Sequence, residues 1–210
     1  MKGKSGWLVI FLVVFVWLTA LFSMYAKDSF YDKAFEEAGV LGKLGNETVH
    51  SFHSAILSFL STHRFDYNLP PFLEEQLSES EKSHLIDVKH ILDVLQVLYY
   101  LALGLSLAWV GWLLKKKQFK ILAEAMEYAG SICMGLLALA FVGSFFFSSF
   151  FMVFHWIFFP MGNYAFPATS LLIQLYPEGL FLKGFEIILG MVLMQSIILL
   201  MFGYLLKKDG

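Results

Sequence analysis

The chain has 210 residues, of which 58% are hydrophobic and only 15% are charged. A water-soluble domain has about 45–50% apolar and about 25% charged residues, so this composition excludes a soluble enzyme and a disordered chain. The single cysteine and the net charge of −2 further exclude a disulfide scaffold and a nucleic-acid binder, which leaves a protein that crosses a membrane several times.

Four stretches of the chain are long and apolar enough to cross a membrane, which takes about 20 mostly apolar residues in a helix. They lie at about 6–26, 94–114, 128–152 and 187–206. The first stretch is longer than the apolar region of about 7–15 residues in a cleavable signal peptide, so we interpret it as a retained helix. The sequence predicts an all-α fold, an integral membrane four-helix bundle that forms a single membrane domain over residues 1–210.

Lysines lie beside the predicted spans in a pattern that predicts their orientation. They precede the first span, join the second to the third and follow the fourth: Lys2, Lys4, Lys115, Lys116, Lys117, Lys120, Lys207 and Lys208. Because basic loops stay in the cytoplasm, both termini are expected to be cytoplasmic. Residues 27–93 are then an extracellular helical loop subdomain, and residues 153–186 are an extracellular interfacial segment.

The first outer segment is expected to be folded, since Phe52, Ile56 and Phe59 recur at helical spacing among its charged residues. Further along, Ser78 or Ser80 can cap a helix, and Ser78-Glu79-Ser80-Glu81 resembles a capping box. A new helix is therefore expected to begin there and to run without a break into the second span.

Two histidines lie on different faces of this predicted helix. At 100° per residue, His84 falls within an apolar stripe and Asp87 falls at its edge one turn later, whereas His90 and Asp93 fall on the opposite, polar face. An imidazole among apolar residues has a shifted pKa, so His84 is either functional or an interfacial histidine bonded to a backbone carbonyl. For His90 and Asp93 we expect a solvated position.

The third apolar stretch is too long for one straight span. An unbroken helix from Tyr128 to Phe159 would measure roughly 48 Å, whereas the hydrocarbon core is about 30 Å thick. The sequence Pro160-Met161-Gly162-Asn163 predicts a break, which places His155 near the outer interface. Eight phenylalanines surround it in the sequence: Phe145, Phe146, Phe147, Phe150, Phe151, Phe154, Phe158 and Phe159.

After this break, Thr169 or Ser170 is expected to cap an apolar helix that is too short to cross a membrane. We interpret it as an interfacial or re-entrant piece whose backbone is buried in protein. The expected aromatic anchors at the membrane surface are Trp156, Tyr164 and Tyr176.

Ionisable groups beside membrane helices are costly, which makes them candidates for function. His155 is the preferred catalytic candidate of the second outer segment. Glu178 and Asn163 either act in a site or stabilise the turns beside them. The phenylalanines either form ordinary lipid-facing and core surface or line a groove for acyl chains.

Several reaction types lack a sequence motif in this chain. There is no Gly-x-Ser-x-Gly elbow, no zinc motif and no glycine-rich phosphate loop, and Cys133 lies deep in the third span. His84, Asp87 and His155 could in principle hold a metal. Otherwise these residues favour proton transfer without a covalent enzyme intermediate, on a substrate whose nucleophile and electrophile are already linked.

Three sequence segments resemble those of the lipoprotein intramolecular transacylase (Lit) family, and the resemblance covers essentially the whole chain. They are Ser83-His84-Leu85-Ile86-Asp87-Val88, Phe154-His155 with Phe158-Phe159-Pro160 and Asn163-Tyr164, and Leu172-Ile173 through Tyr176-Pro177-Glu178-Gly179. The resemblance implies an acyltransferase that moves the sn-2 acyl chain of an S-diacylglyceryl cysteine to the α-amino group of that cysteine. The product would be an N-acyl S-monoacylglyceryl, or lyso-form, lipoprotein.

For this reaction we assign His155 as the general base and His84 as the acid or oxyanion stabiliser, oriented by Asp87, although the histidines could exchange roles. An α-amino group with a pKa of about 7.7–8.0 must lose a proton to attack an ester, and imidazole can accept it near neutral pH. Asn163 is expected to donate to the oxyanion. Glu178 is expected to hold the substrate amine or a histidine. The aromatic substrate-binding residues would be Tyr164, Trp156, Phe154 and Phe158.

The resemblance also implies a location and partners. We expect a multi-pass protein of the bacterial cell membrane with its active site at the outer leaflet, acting on diacylated lipoproteins among membrane lipid. We expect no cofactor, no metal, no nucleic acid and no obligate protein partner. The alternatives are a metal-dependent membrane lipid hydrolase and a non-enzymatic lipid-binding accessory protein.

Overall fold

The computed structural model describes residues 6–25, 28–61 and 65–209, and these residues contain ten α-helices and no β-strand. Lys2 and Lys4, which entered the predicted orientation, lie outside the described residues. The helices are α1 (Gly6–Tyr25), α2 (Asp28–Glu37), α3 (Val40–Leu44), α4 (Asn46–Ser61), α5 (Pro71–Gln76), α6 (Glu79–Lys115), α7 (Phe119–Ser144), α8 (Phe147–Phe158), α9 (Leu171–Leu175) and α10 (Glu178–Asp209). The predicted all-α class is therefore confirmed.

Four of the described helices, α1, α6, α7 and α10, are long and apolar enough to cross a membrane. This confirms the four expected membrane helices. Helix α6 has 37 residues and is therefore about 55 Å long, which exceeds a hydrocarbon core of about 30 Å. Because its charged residues lie at or before residue 93, apart from Lys115 at its end, we place its membrane-spanning part in the uncharged apolar stretch 94–114.

The chain divides into two compact units. The first, which we call the membrane unit, comprises residues 1–26, 95–145 and 185–210. The second, which we call the loop unit, comprises residues 27–94 and 146–184. The loop unit thus joins two segments that are far apart in the sequence, and both candidate histidines belong to it.

Small residues allow close helix contacts within the membrane unit, as is common where helices pack in lipid. Ala125 and Ala129 of α7 are fully buried against Leu8 of α1. Gly203 of α10 lies so close to α7 that a Cβ at this position would be 3.0 Å from the carbonyl oxygen of Ala123. Cys133 is buried in the same unit, as its position in the third apolar stretch predicts.

The loop unit has its own core, and the helical spacing in the first outer segment predicts its main helix correctly. Phe52, Ile56 and Phe59 are buried on one face of α4. The same face buries His53, whose Nδ1 is 2.8 Å from the hydroxyl oxygen of Tyr176. This pair therefore links α4 to the segment that precedes α10.

Helix α6 begins with the predicted capping box. The backbone N–H of Ser78 donates to Glu81 Oε2 at 3.0 Å, and the backbone N–H of Glu81 is 3.4 Å from Ser78 Oγ. The other carboxylate oxygen of Glu81 accepts from the backbone N–H of Leu172 at 3.0 Å, at the start of α9. Burial alone raises the pKa of Glu81, but hydrogen bonds to its carboxylate from the Ser78 hydroxyl and from the backbone N–H groups of Ser78 and the start of α9 outweigh it, so the pKa is lowered.

The expectation of a solvated Asp93 is wrong, because Asp93 and Lys89 are both buried in the loop unit. Lys89 Nζ lies 3.8 Å from Asp93 Oδ1 and 5.5 Å from the ring centroid of Phe59. The backbone N–H of Phe65 donates to Asp93 Oδ2 at 2.9 Å. Residues before α5 cover this face of α6, and each buried charge has an opposite charge one turn away. His90 is exposed, as expected, with Nδ1 3.0 Å from the Tyr67 hydroxyl oxygen.

The third apolar stretch breaks twice rather than once. Helix α7 ends at Ser144, and α8 begins at Phe147, within the stretch that the sequence analysis treats as one span to residue 152. A Gly143-Ser144 pair precedes the break, and Ser144 Oγ donates to the carbonyl of Phe141 at 2.7 Å; glycine–serine pairs are common sites of helix kinks. The predicted break at residues 160–163 is also present.

The short apolar helix after this break is α9, and Ser170 caps it as predicted. Its Oγ accepts from the backbone N–H of Ile173. Helix α10 then begins directly after Pro177, so that Glu178 lies in its first turn.

The close approach at Gly203 predicts a specific loss of stability. Gly203→Ala should destabilise the purified chain by about 1–3 kcal/mol, because the added methyl group meets a backbone oxygen that cannot move easily. Gly190→Ala, in the same helix, is the matched control, since nothing lies within 4 Å of a Cβ there. Thermal unfolding in detergent compares the two variants, and equal melting temperatures would contradict the prediction.

Candidate active site

The two histidines that the sequence analysis singles out lie side by side in the loop unit. The ring centroids of His84 on α6 and His155 on α8 are 5.9 Å apart, and the ring planes are inclined by 22°. Both side chains are half-buried. A single small group could therefore contact both rings.

Aromatic rings surround the two histidines. The ring centroid of Phe159 lies 4.5 Å from that of His84 and 5.4 Å from that of His155. Four further rings contact one histidine each, at centroid distances between 4.3 and 5.5 Å: Phe166 with His84, and Phe151, Phe154 and Tyr164 with His155. These rings make the surroundings of the pair apolar, although the side chains of the pair are polar.

The hydrogen bonding of His155 determines which of its nitrogens carries the proton. Its Nδ1 lies 2.7 Å from the carbonyl oxygen of Phe151, one turn earlier on α8. A carbonyl oxygen can only accept, so Nδ1 must be the donor. In the neutral ring Nε2 therefore has the free lone pair, which is the form that a general base needs.

His84 differs from its neighbour in its hydrogen bonding and charge. Its Nδ1 is buried and has no hydrogen-bond partner among the described residues. Burial and the neighbouring His155 lower the pKa of His84 to about 4, although Asp87 acts in the opposite direction. His84 is consequently neutral near pH 7 and can donate a hydrogen bond from a ring N–H.

Asn163 connects the turn after α8 to α6. Its Nδ2 donates to Asp87 Oδ2 at 2.7 Å and to Ser83 Oγ at 2.9 Å. The sequence analysis assigned Asp87 to orient His84, whereas the hydrogen bond that the structure shows for Asp87 is to Asn163. The side-chain Oδ1 of Asn163 is buried and has no partner among the described residues.

The other residues proposed for substrate binding lie at different distances from the histidines. Phe154 and Tyr164 contact His155 directly. Trp156 is 70% exposed, and Phe158 packs on Phe154. Glu178 is exposed and accepts a hydrogen bond from Ser148, two turns before His155 on α8.

Three residues near the histidines received no role in the site from the sequence. Ser83 shares a helix face with Asp87, since the two are four residues apart, and this spacing was the available signal. Glu81 was recognised as part of a cap, but its bond to Leu172 joins distant segments, which no local pattern shows. Phe166 lies between turn residues and has no signal of its own.

The geometry of the described residues offers no ready metal centre. No group of three or more histidine, cysteine or acidic side chains in that part of the chain could hold a metal ion. His84, Asp87 and His155 therefore do not form such a group among those residues.

Taken together, fold and site define a membrane-integral α-helical protein with two paired imidazoles among aromatic rings. A family model described as lipoprotein intramolecular transacylase Lit matches residues 6–181. The chain therefore belongs to the lipoprotein intramolecular transacylase Lit family, as its sequence segments suggested, and it is an acyltransferase-type membrane enzyme. No curated protein sequence matches the chain.

Two solved structures share this fold. One is the in meso structure of the membrane-integral transacylase Lit from Bacillus cereus, with a TM-score of 0.87, 19% identity, and coverage of 98% of this chain and 95% of that chain. The other is that protein with a histidine-to-alanine mutation, with a TM-score of 0.76, 21% identity, and coverage of 98% and 93%. At such identities the likeness shows the fold alone, and it confirms the predicted architecture.

The lowered pKa of His84 predicts a loss of stability in acid. In the unfolded chain the ring has a pKa of about 6.5, so between about pH 6.5 and about pH 4 the unfolded chain binds a proton that the folded chain does not. Stability therefore falls as the pH drops through this window. We expect the melting temperature of the wild type to fall more between pH 7 and pH 5 than that of His84→Gln. His90→Gln should show the same fall in melting temperature as the wild type over this pH range. An identical fall in all three proteins would refute the prediction.

Proposed function

We propose that this chain transfers the sn-2 acyl chain of an S-diacylglyceryl cysteine to the α-amino group of the same residue, which yields an N-acyl S-monoacylglyceryl lipoprotein. The observation that supports this proposal most directly is the pairing of a histidine whose Nε2 is available as a base with a neutral histidine. Family membership supports the substrate class. Acyl transfer from an ester to an amine is accelerated by a general base and by a hydrogen-bond donor to the oxyanion, and two imidazoles with different tasks can supply both.

In the proposed first step His155 acts as the general base. The nitrogen of the α-amino group attacks the ester carbonyl carbon, a C–N bond forms, and one proton of the nitrogen moves to Nε2 of His155. Because both reacting groups belong to one substrate molecule, no second reactant has to be captured, and proximity removes much of the barrier. The Nδ1–H bond to the carbonyl of Phe151 orients the ring and stabilises the imidazolium that forms.

His84 acts as the oxyanion stabiliser in this mechanism. A neutral imidazole cannot be the main source of a proton at pH 7, but it can donate a hydrogen bond to the ester oxygen as negative charge develops there. The imidazolium of His155 then returns its proton to the glycerol oxygen while the C–O bond breaks. The net reaction exchanges an ester for an amide and needs no cofactor and no metal.

The remaining assignments follow the same scheme. We propose that the aromatic rings of Phe154, Phe158, Tyr164 and Trp156 contact the acyl chains. Phe154 and Tyr164 contact His155, Phe158 packs on Phe154, and Trp156 is exposed on the same helix. Glu178 would stabilise α8 through Ser148 and so support the placement of His155. The partners would be diacylated bacterial lipoproteins and membrane lipid, with no obligate protein partner.

We also propose an orientation in the bacterial cell membrane. Four lysines lie in or beside the short connection between α6 and α7, and Lys207 and Lys208 lie in the last turn of α10. These basic residues support cytoplasmic termini. The loop unit, and the histidine pair with it, would then face the outer leaflet, where lipoproteins are anchored.

Replacing either histidine should abolish the transfer. His155→Ala and His84→Ala should each lower the rate of transfer by about 100-fold or more, because each removes a proton-transfer or oxyanion contribution. Since the transfer leaves the mass of the substrate unchanged, fragment-ion mass spectrometry of a reporter lipoprotein's N-terminal peptide must locate the acyl chain. His90→Ala is the control, and unimpaired transfer in both other variants would end the assignment.

Metal removal separates this function from the alternative of a metal-dependent hydrolase. Transfer by the purified chain should continue unchanged after treatment with a chelator, since every proposed step uses side chains of the chain itself. The acyl chain should be recovered as an amide and not as a free fatty acid. Release of free fatty acid that stops on chelation would support the hydrolase instead.

A further inference from the structure

We propose that Asn163 binds the α-amino group of the substrate through its side-chain carbonyl oxygen. Asp87 and Ser83 would be positioning residues that hold the amide in the orientation this contact needs. The inference rests on the proposed acyl transfer and assigns the residue that binds the nucleophile in that reaction.

The orientation of the Asn163 amide follows from its neighbours. A carboxylate oxygen has no hydrogen, so the amide atom that lies 2.7 Å from Asp87 Oδ2 must be the nitrogen. The same nitrogen donates to Ser83 Oγ at 2.9 Å. Both N–H bonds of the amide are thereby used. Asn163 consequently has no donor left for an oxyanion, which was the role expected from the sequence.

The remaining polar atom of this amide is an acceptor. Asn163 Oδ1 is buried and has no hydrogen-bond partner among the described residues. A buried acceptor without a partner costs about 1–3 kcal/mol, so its retention points to a donor on the substrate. The amide is bonded to Ser83, the neighbour of His84, and it adjoins Tyr164, whose ring centroid is 5.2 Å from that of His155. The residue that carries this acceptor is therefore hydrogen-bonded to the neighbour of His84 in the sequence and is followed by a residue that contacts His155.

A primary amine that attacks an ester has two N–H groups, and an acceptor for each would orient its lone pair. One N–H bond gives its proton to Nε2 of His155, and a second N–H group must be held so that the lone pair points at the carbonyl carbon. Asn163 Oδ1 would accept from this second group. Positive charge grows on the nitrogen as the C–N bond forms, so the contact strengthens in the transition state. The carboxylate of Asp87 increases this effect, because it polarises the amide toward its oxygen.

The test measures kcat and KM for a synthetic diacylglyceryl lipopeptide with the purified full chain. Asn163→Leu should lower kcat by about 10- to 100-fold, the equivalent of one charge-assisted hydrogen bond, and change KM little. Asp87→Asn alone should lower kcat by about 10-fold. Without the carboxylate, the side-chain amide of Asn163 is free to rotate by about 180°, which exchanges the positions of its oxygen and nitrogen. In the Asn163→Leu background Asp87→Asn should have no further effect, since a residue that acts only through Asn163 has nothing left to act on.

An exchange variant tests the same idea without a large change in shape. Asn163→Asp combined with Asp87→Asn keeps one amide bonded to one carboxylate and leaves a carboxylate oxygen as the acceptor. Its kcat should exceed that of Asn163→Leu by at least about 10-fold. A kcat as low as that of Asn163→Leu would overturn the inference.

Two further results would also overturn it, and both differ from a failure of the proposed function. Wild-type kcat in Asn163→Leu would remove the amine contact, and an undiminished effect of Asp87→Asn in the Asn163→Leu background would show that Asp87 acts directly. In both cases the wild type still transfers the acyl chain and the histidine variants still lose this activity. If the wild-type chain transfers no acyl chain at all, the proposed function itself fails.

Discussion

Two turns of helix α6 make the contacts on which the candidate site depends. Between residues 81 and 87, Glu81 binds the backbone of Leu172, Ser83 and Asp87 bind Asn163, and His84 packs against Phe159 and Phe166. Each contact reaches residues between 159 and 172, which follow the end of α8. The hydrogen bonds among these contacts help to fix the relative placement of the two histidines. A hydrogen bond allows little movement, because its donor and its acceptor must keep a defined distance and direction. An apolar contact alone would allow the turn after α8 to shift.

The site combines polar atoms with apolar surroundings, and this combination has a free-energy cost. Unpaired buried polar atoms destabilise a fold by about 1–3 kcal/mol each. His84 Nδ1 and Asn163 Oδ1 are two buried atoms that have no hydrogen-bond partner among the described residues. By contrast, the buried Lys89 and Asp93 on the same helix form an ion pair, and Asp93 also accepts from the backbone of Phe65. The loop unit therefore satisfies its structural charges while leaving polar atoms unpaired beside the histidines, which is the pattern expected where a substrate supplies the missing partners.

Local features of this structure could be predicted from the sequence, and contacts between distant residues could not. The spacing around Phe52, the capping box at Ser78 and the cap at Ser170 are all present because they depend on neighbours within a few residues. The placement of His84 on an apolar helix face was likewise predictable. The pairing of Asn163 with Asp87 joins residues 76 positions apart, and helical periodicity does not encode a partner at that distance. Asp93 was misplaced for the same reason, since the backbone that buries it comes from another segment.

Helix α8 and the turn after it expose large apolar side chains. Met152, Val153 and Trp156 are 66%, 52% and 70% exposed, and Met161 in the following turn is 85% exposed. A surface of this kind aggregates in water unless it is covered, and in a membrane protein lipid is the natural cover. His155 lies on the same helix and faces the aromatic rings of the loop unit. Helix α8 thus combines an exposed apolar side with a histidine on another side, which is the arrangement we expect for the proposed function, in which the acyl chains of the substrate stay in the bilayer.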